Sequence, residues 1–420
     1  MRLLGLAIVL PCALLVGATA PARAEPVDGR ASGALRLTAD AWATAPDPSA
    51  FLMVQAEAQG RSPLLYDAEA LVWAGVFERY APDRQGSNEQ GPIARGDVAL
   101  MEAHVRDPVH WWDVRLGRIL YRGGAVRPLH LDGAAMGIHT PTGATVEVFG
   151  GMPVLDDQEG RSFDWLVGVR STQALGDLAS IGYSYWQERD GGVAAHSELG
   201  VEASFTPASA FLLSSTFAID TLELGLAEAR VSALLHDRVN RLELFATRRS
   251  PSRMLDATSF FATLGSYDAD QIGLSGFWRA APRLDVSATF TLDRVADAPG
   301  ATQLVRAELR LVDDGAGALG GEARRVSDPG SSWTGVRAFV RLPLPLRLHW
   351  SAEAELAFPD DPRGRGVVWP WALTALRFDA TRALSLAASV EASATPSYAS
   401  SVVGFFRASG TWGGAGAGAP

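Results

Sequence analysis

The chain has 420 residues, 47% of them hydrophobic and 20% charged, and its formal net charge is −10. Its 43 glycines and 24 prolines exclude a mainly helical protein, because each destabilises a helix interior by about 1 to 3 kcal/mol. The apolar fraction is too high for a disordered chain, and the acidic balance gives no support for nucleic-acid binding.

Residues 1–24 have the pattern of a secretory signal peptide. Arg2 precedes an apolar run over 3–18, and Ala22-Arg23-Ala24 forms an A-x-A cleavage site. The only cysteine, Cys12, lies inside this segment, so the mature chain can form no disulfide. No later apolar run approaches the ~20 residues that a membrane helix needs. We therefore expect an exported chain without a helical anchor.

After the signal peptide, apolar and polar residues alternate with a period of two, which is the pattern of strands with one apolar face. Leu284, Val286 and Ala288, for example, alternate with Asp285 and Ser287. The pattern predicts about 22 strands, and the weakest of them, 133–139, 144–150 and 317–327, leave a range of 18 to about 22 open. In chain order they are 31–43, 50–58, 66–78, 96–106, 111–121, 133–139, 144–150, 162–171, 178–188, 194–206, 210–219, 221–235, 239–248, 270–280, 283–295, 301–312, 317–327, 333–342, 345–357, 367–378, 383–394 and 401–412.

The predicted connections alternate between long and short. The long ones all follow odd-numbered strands. They are 79–95, 122–132, 151–161, 249–269 and 358–366. Long outer loops and short periplasmic turns are typical of bacterial outer-membrane barrels. The sequence therefore predicts an all-β fold, a transmembrane antiparallel up-and-down β-barrel over residues 25–412, followed by a glycine-rich tail at 413–420.

Aromatic residues support a membrane barrel. Tryptophans near strand ends favour girdles at the membrane surfaces, and they are Trp42, Trp111, Trp112, Trp186, Trp278, Trp333, Trp369, Trp371 and Trp412. The last strand places Val402, Gly404, Phe406, Ala408 and Trp412 on one face, which resembles the terminal strand that the outer-membrane barrel assembly machinery recognises. The expected partners are outer-membrane lipid, that machinery and a polar solute, and the oligomeric state stays open.

If the apolar faces contact lipid, the charged faces line a lumen, because a basic side chain facing lipid at mid-bilayer costs about 2 to 4 kcal/mol. The inner-wall candidates are Arg306, Glu308, Arg310, Arg337, Arg341, Arg347, Glu353 and Glu355. Mixed charges of this kind can set a weak ion preference in a pore. The alternative interpretation is that they only neutralise one another in a wet interior.

Residues 116–137 form the most distinctive stretch. Gly117-Arg118, Gly123-Gly124, Arg127 and Asp132-Gly133, followed by the strand 146–150, resemble a strand–loop–strand block of porin-like outer-membrane families, with the alginate-export type the nearest. The resemblance implies that this loop folds inward in a conduit for an anionic polysaccharide, with Arg118, Arg127 and Asp132 at its constriction. Ile119 stands where that family has a polar residue.

No motif supports an enzyme. Residues His196 and Ser197 are adjacent on a strand and point to opposite faces, so they cannot form a base and nucleophile pair. No HExxH, GxSxG, Walker or paired-cysteine motif occurs, so no metal, cofactor or catalytic residue is predicted. The sequence favours an outer-membrane porin-like channel in a Gram-negative bacterium, for passive passage of small or anionic polar solutes. The alternative is a barrel with a closed lumen that serves as a surface anchor or adhesin.

Overall fold

The structure is a computed structural model. It describes residues 32–45, 49–62, 67–80, 93–107, 111–125, 127–154, 164–250, 253, 268–295, 297–312, 317–328, 331–362, 367–395 and 398–413. The predicted signal peptide lies outside the described residues, and so do the tail after residue 413 and most of the connections 79–95 and 249–269.

The described residues form a closed antiparallel β-barrel of 22 strands. The strands are β1 (Ser32–Ala45), β2 (Ser49–Ser62), β3 (Asp67–Tyr80), β4 (Ile93–Arg106), β5 (Trp112–Tyr121), β6 (Leu129–His139), β7 (Ala144–Pro153), β8 (Trp165–Leu175), β9 (Ala179–Asp190), β10 (Val193–Ala208), β11 (Phe211–Asp220), β12 (Gly225–His236), β13 (Arg241–Arg249), β14 (Ala269–Ala281), β15 (Leu284–Val295), β16 (Ala298–Arg310), β17 (Ala318–Ser327), β18 (Trp333–Leu344), β19 (Leu348–Pro359), β20 (Trp369–Asp379), β21 (Leu384–Thr395) and β22 (Tyr398–Gly413). Each strand pairs with its sequence neighbours, and β1 pairs with β22 to close the wall. The predicted up-and-down barrel is confirmed, at the upper end of the predicted range of strands.

The period-two alternation gives the wall two different faces. On β16, Val305 and Leu309 are exposed, whereas Arg306 and Glu308 between them are partly buried in ion pairs. We call the face with the exposed apolar side chains the outward phase and the other face the inward phase. Because closure leaves no unpaired strand edge, such a wall can cross a bilayer with its apolar phase against lipid.

The two ends of the barrel differ in their connections. The connections longer than seven residues, 81–92, 154–164, 250–268 and 360–368, all leave at one end, as predicted. We call this the long-connection end. Among the described residues, no helix is long and apolar enough to cross a bilayer.

A short turn at the opposite end shows how these connections are stabilised. In the turn 237–240, the Asp237 carboxylate accepts hydrogen bonds from the backbone N–H groups of Val239 and Asn240, both at 2.7 Å. These bonds hold the pKa of Asp237 below its ordinary value, because they favour the charged form.

The prediction of aromatic girdles is wrong for several tryptophans. Trp278 is exposed on the outward phase, but Trp42, Trp186, Trp333 and Trp371 belong to the inward phase. Trp186 is fully buried, and its indole N–H donates to Glu198 at 3.0 Å. A position near a strand end does not fix the face, since the phase of each strand decides it.

A cluster of buried residues lies on the inner wall over β5 to β9. Its members are Ile119, Tyr121, Leu129, Leu131, Ala135, Phe149, Leu166 and Trp186. The Tyr121 and Phe149 rings stack with centroids 3.9 Å apart. We call this group the inner-wall cluster. The inner-wall cluster is an apolar patch on a wall that elsewhere carries charged side chains.

Candidate functional site

Inward-phase charges on β16, β18 and β19 form ion pairs within and between strands. Glu308 accepts from Arg306 Nη2 at 2.8 Å and from Arg341 Nη2 at 2.5 Å. Arg337 pairs with Glu353, and its guanidinium carbon lies 5.5 Å from the centre of the Trp371 ring. The structure therefore brings together five predicted arginine and glutamate candidates in two neighbouring groups. It also adds Trp371, which the sequence analysis did not assign to the lumen.

Two further candidates lie at the same part of the wall. Glu355 is directly opposite Arg337 in the pairing of β18 with β19. Arg310 pairs with Asp285 at 3.2 Å, and Asp285 also accepts from Arg279 at 3.1 Å. The sequence analysis missed Asp285 and Arg279 as site residues, although Asp285 is in the polar phase of the predicted strand 283–295.

The predicted lumen position of Arg347 is wrong. This residue belongs to a short 3₁₀ turn, Pro345–Arg347, where its φ is 60° and its side chain is exposed. The strand predicted at 345–357 begins only at Leu348. Arg347 therefore lies in a connection at the end of the barrel and takes no part in the ion pairs described above.

The predicted constriction residues Arg118 and Asp132 lie on the outside of the wall. They are in phase with exposed Leu116 and Met136 on the paired strands β5 and β6. Arg118 donates to both Asp132 oxygens, at 2.7 and 2.9 Å, and to the Val98 carbonyl at 2.7 Å. Their phase could have been read from the sequence, since Val114 and Leu116 precede Arg118 at alternate positions. The prediction of a constriction role fails for both residues.

The third constriction candidate, Arg127, lies on the inner wall. Its guanidinium carbon is 4.7 Å from the centre of the Trp186 ring, and its Nε is 3.7 Å from Glu198 Oε1. In the same connection, a Cβ atom at Gly124 would lie 3.0 Å from Ser184 Oγ. Trp186 and Ser184 belong to β9, so Gly124 and Arg127 of this connection lie beside the inner face of β9. The inward fold expected of this loop is present.

A second charged group supports this connection. Arg170 pairs with Glu147 at 3.1 Å and with Glu202 at 2.5 Å, and Tyr121 donates to Glu147 at 3.1 Å. Arg115 lies 3.9 Å from the same glutamate. These residues were not among the sequence candidates, although each one is in the polar phase of its strand. Together with Arg127 and Glu198 they place three arginines and three glutamates in contact on the inner wall over β5 to β10.

In the inner-wall ion pairs the arginine is more exposed than its acidic partner. The Arg241 side chain is 57% exposed and that of its partner Glu243 is 12% exposed. The exposed fractions are 48% for Arg341 against 20% for Glu308, and 47% for Arg407 against 2% for Asp40. The charges are paired, but the arginine side chain of each pair presents the larger accessible fraction to a solute in the lumen.

Two histidines share one carboxylate on the inner wall. His104 and His139 both contact Asp113, at 3.2 and 2.8 Å, but each ring nitrogen bonds to a different carboxylate oxygen. Within the part of the chain that the structure describes, no group of three or more His, Cys, Asp or Glu is placed to hold a metal ion.

No family model and no curated protein matches this chain. Among solved structures, the P pilus usher (PapC) translocation pore has a TM-score of 0.54 at 8% identity, over 90% of this chain and 99% of that chain. An E. coli P pilus tip assembly intermediate, PapC-PapD-PapK-PapG, has a TM-score of 0.55 at 10% identity, over 91% of this chain and 60% of that chain. Pseudomonas aeruginosa OccK5 (OpdH) has a TM-score of 0.43 at 11% identity, over 92% of this chain and 98% of that chain.

Identities this low show a shared fold and leave the resemblance to alginate-export barrels as an expectation. The fold itself defines the location. A closed 22-stranded wall with an apolar outward phase and a charged inward phase is a transmembrane barrel of the outer-membrane type. The chain is an outer-membrane β-barrel.

Proposed function

We propose that this protein is a passive channel that admits small polar solutes, and preferentially anionic ones, through the barrel lumen. The observation that carries the proposal is the unequal exposure within the inner-wall ion pairs, where the arginine side chain is more exposed than its acidic partner. Rings of exposed arginine select for anions in pores. The proposal assigns no chemical reaction to the chain.

The size of the barrel agrees with a conduit. A circular barrel of 22 strands has a backbone diameter of about 44 Å when the strands tilt by about 40°. The connection 122–128 lies against one side of the inner wall, held at Arg127 and Gly124. In this proposal it narrows the lumen from one side, and Arg127 adds a cationic group to the narrowed part.

An anionic polysaccharide is a finer proposal. It comes from the resemblance of residues 116–137 to alginate-export barrels, and the inward position of Arg127 and the exposed inner-wall arginines support it. Arg118 and Asp132 do not, because both belong to the outward phase. The inner-wall candidates that remain for this role are Arg127, Arg306, Glu308, Arg310, Arg337, Arg341, Glu353 and Glu355.

Planar-bilayer recording tests the channel. We expect discrete conductance steps and, in a salt gradient, a reversal potential of the sign given by anion preference. The triple variant Arg241→Gln, Arg341→Gln, Arg377→Gln removes three exposed inner-wall guanidinium groups and should shift the reversal potential toward cation preference. Arg294→Gln is the matched control, because this exposed arginine is on the outward phase and should leave the reversal potential unchanged.

The same recording separates the competing function. Insertion without conductance would contradict the channel and favour the anchor or adhesin with a closed lumen. Conductance with equal shifts in the triple variant and in Arg294→Gln would remove the inner-wall arginines from the selectivity mechanism.

A further inference from the structure

Charged residues on the outward phase occur at one end of the barrel only, within the described residues. Those whose side chains the structure describes are Arg118, Asp132, Arg189, Arg248, Asp270, Arg294 and Arg325, and all lie toward the long-connection end. Toward the other end the outward phase carries apolar side chains, such as Trp112, Trp278 and Phe378. The two membrane leaflets therefore meet different surfaces of the same wall.

Arg248 of β13, Asp270 of β14 and Arg294 of β15 line one end of a groove on the outer wall. The groove has a volume of about 410 Å³, and its apolar part is lined by Val231, Ile272 and Leu292. Arg248 and Arg294 line it from the two sides of Asp270. The groove on the outer wall is therefore apolar over one part and charged at the end nearer the long connections.

The two arginines share their acidic partner. Arg294 Nη2 lies 2.6 Å from Asp270, and Arg248 lies 3.5 Å from Asp270 and 3.1 Å from Asp268. The side chains of Arg248 and Arg294 are still 45% and 58% exposed. Each guanidinium has five N–H donors, so these contacts leave donors on both arginines for a ligand.

We propose that this groove binds a phosphate-bearing membrane lipid, with the phosphate on Arg248 and Arg294 and an acyl chain along Val231, Ile272 and Leu292. Three observations favour a lipid over a second protein chain. The groove lies on the lipid-facing phase, its polarity changes along its length as that of a lipid does, and arginine pairs bind phosphate through bidentate hydrogen bonds. The proposal does not depend on whether the lumen conducts.

The binding test uses the folded barrel in detergent micelles, with cardiolipin and phosphatidylcholine as the two added probe lipids. Native mass spectrometry should show cardiolipin retained in preference to phosphatidylcholine. The double variant Arg248→Gln, Arg294→Gln should weaken cardiolipin retention by about 30-fold, since each arginine adds to attraction at an anionic lipid surface. Arg377→Gln is the matched control, because Arg377 is an equally exposed arginine that pairs with Asp379 on the inward phase.

A third variant keeps the test decisive if the double variant folds poorly. Asp270→Asn removes the carboxylate that competes with phosphate for both arginines, so it should strengthen cardiolipin retention. Equal retention of cardiolipin by the wild type, the double variant and Asp270→Asn would overturn the proposal. So would a loss in Arg377→Gln as large as that in the double variant, or equal retention of cardiolipin and phosphatidylcholine by the wild type.

Discussion

At the scale of single residues, glycine allows strands and rings to approach on the inner wall. Phe149, Phe245 and Phe339 each lie opposite a glycine on the next strand, and a Cβ atom on that glycine would lie 2.1 to 2.4 Å from the ring. Gly117, Gly133 and Gly151 form a row across β5, β6 and β7. A large side chain at these positions has no space.

Gly133→Ala should destabilise the barrel. Its Cβ atom would lie 2.1 Å from the Gly150 carbonyl oxygen and 2.7 Å from Gly151 Cα, and backbone atoms cannot move aside cheaply. We expect a loss of about 1 to 3 kcal/mol in the free energy of unfolding, measured by urea titration in micelles. Gly404→Ala is the control, because nothing lies within 4 Å of a Cβ atom there. A Gly133→Ala variant as stable as Gly404→Ala would contradict this account of the glycine row.

At the scale of elements, the connection 122–128 is fixed by contacts to strands that follow it by more than fifty residues. Arg127 stacks on Trp186 of β9, while Glu198 of β10 accepts from the Trp186 indole and faces Arg127. The Glu198 side chain is buried, and its Oε1 has no hydrogen-bond partner. Its charge is therefore balanced chiefly by Arg127.

Glu198→Gln should loosen this connection. The variant keeps the shape of the side chain but removes the anion beside Arg127. Hydrogen–deuterium exchange of the amides in 122–128 should become roughly tenfold faster, because local opening then breaks a weaker contact. Glu243→Gln, at an ion pair on β13 far from this connection, should leave that exchange unchanged. Identical exchange in both variants would show that other contacts hold the connection.

At the scale of the whole molecule, closure of the wall depends on the pairing of β1 with β22. Arg407 donates to both oxygens of Asp40, at 2.7 and 3.0 Å, across this closing pair. Asp40 is almost fully buried. The two residues are 367 positions apart in sequence, so this contact forms only when the full set of strands is in register.

Arg407→Ala should weaken closure, because it leaves a buried carboxylate without its partner. We expect a loss of about 2 to 4 kcal/mol and a lower midpoint temperature for the compact form in heat-modifiable gel mobility. The double variant Asp40→Asn, Arg407→Ala should recover part of the loss, since the buried charge is then absent. Arg377→Ala serves as the comparison, because its partner Asp379 is two positions away on the same strand. No difference between Arg407→Ala and Arg377→Ala would argue against the role of the closing pair.

The residues also show what a sequence can predict. Alternation is a local property, and it was enough to place Arg306, Glu308, Arg337 and Glu353 on the inward phase. For Arg118 the loop resemblance predicts a constriction role, whereas the phase of its own strand places it on the outer face. Asp285 and Glu198 were missed as site residues, since neither the ion pairs of Asp285 nor the burial of Glu198 leaves a local signal.

The sequence by itself determined the two-faced strands, the end from which the long connections leave and the up-and-down order, because these follow from a period of two and from turn-forming residues between adjacent segments. The tertiary structure decided three further properties. These are the closure of β22 on β1, the path of 122–128 over the inner wall, and the greater exposure of arginine than of its acidic partner. Each depends on cross-strand register and on distances between residues far apart in the chain, and the local period does not specify these.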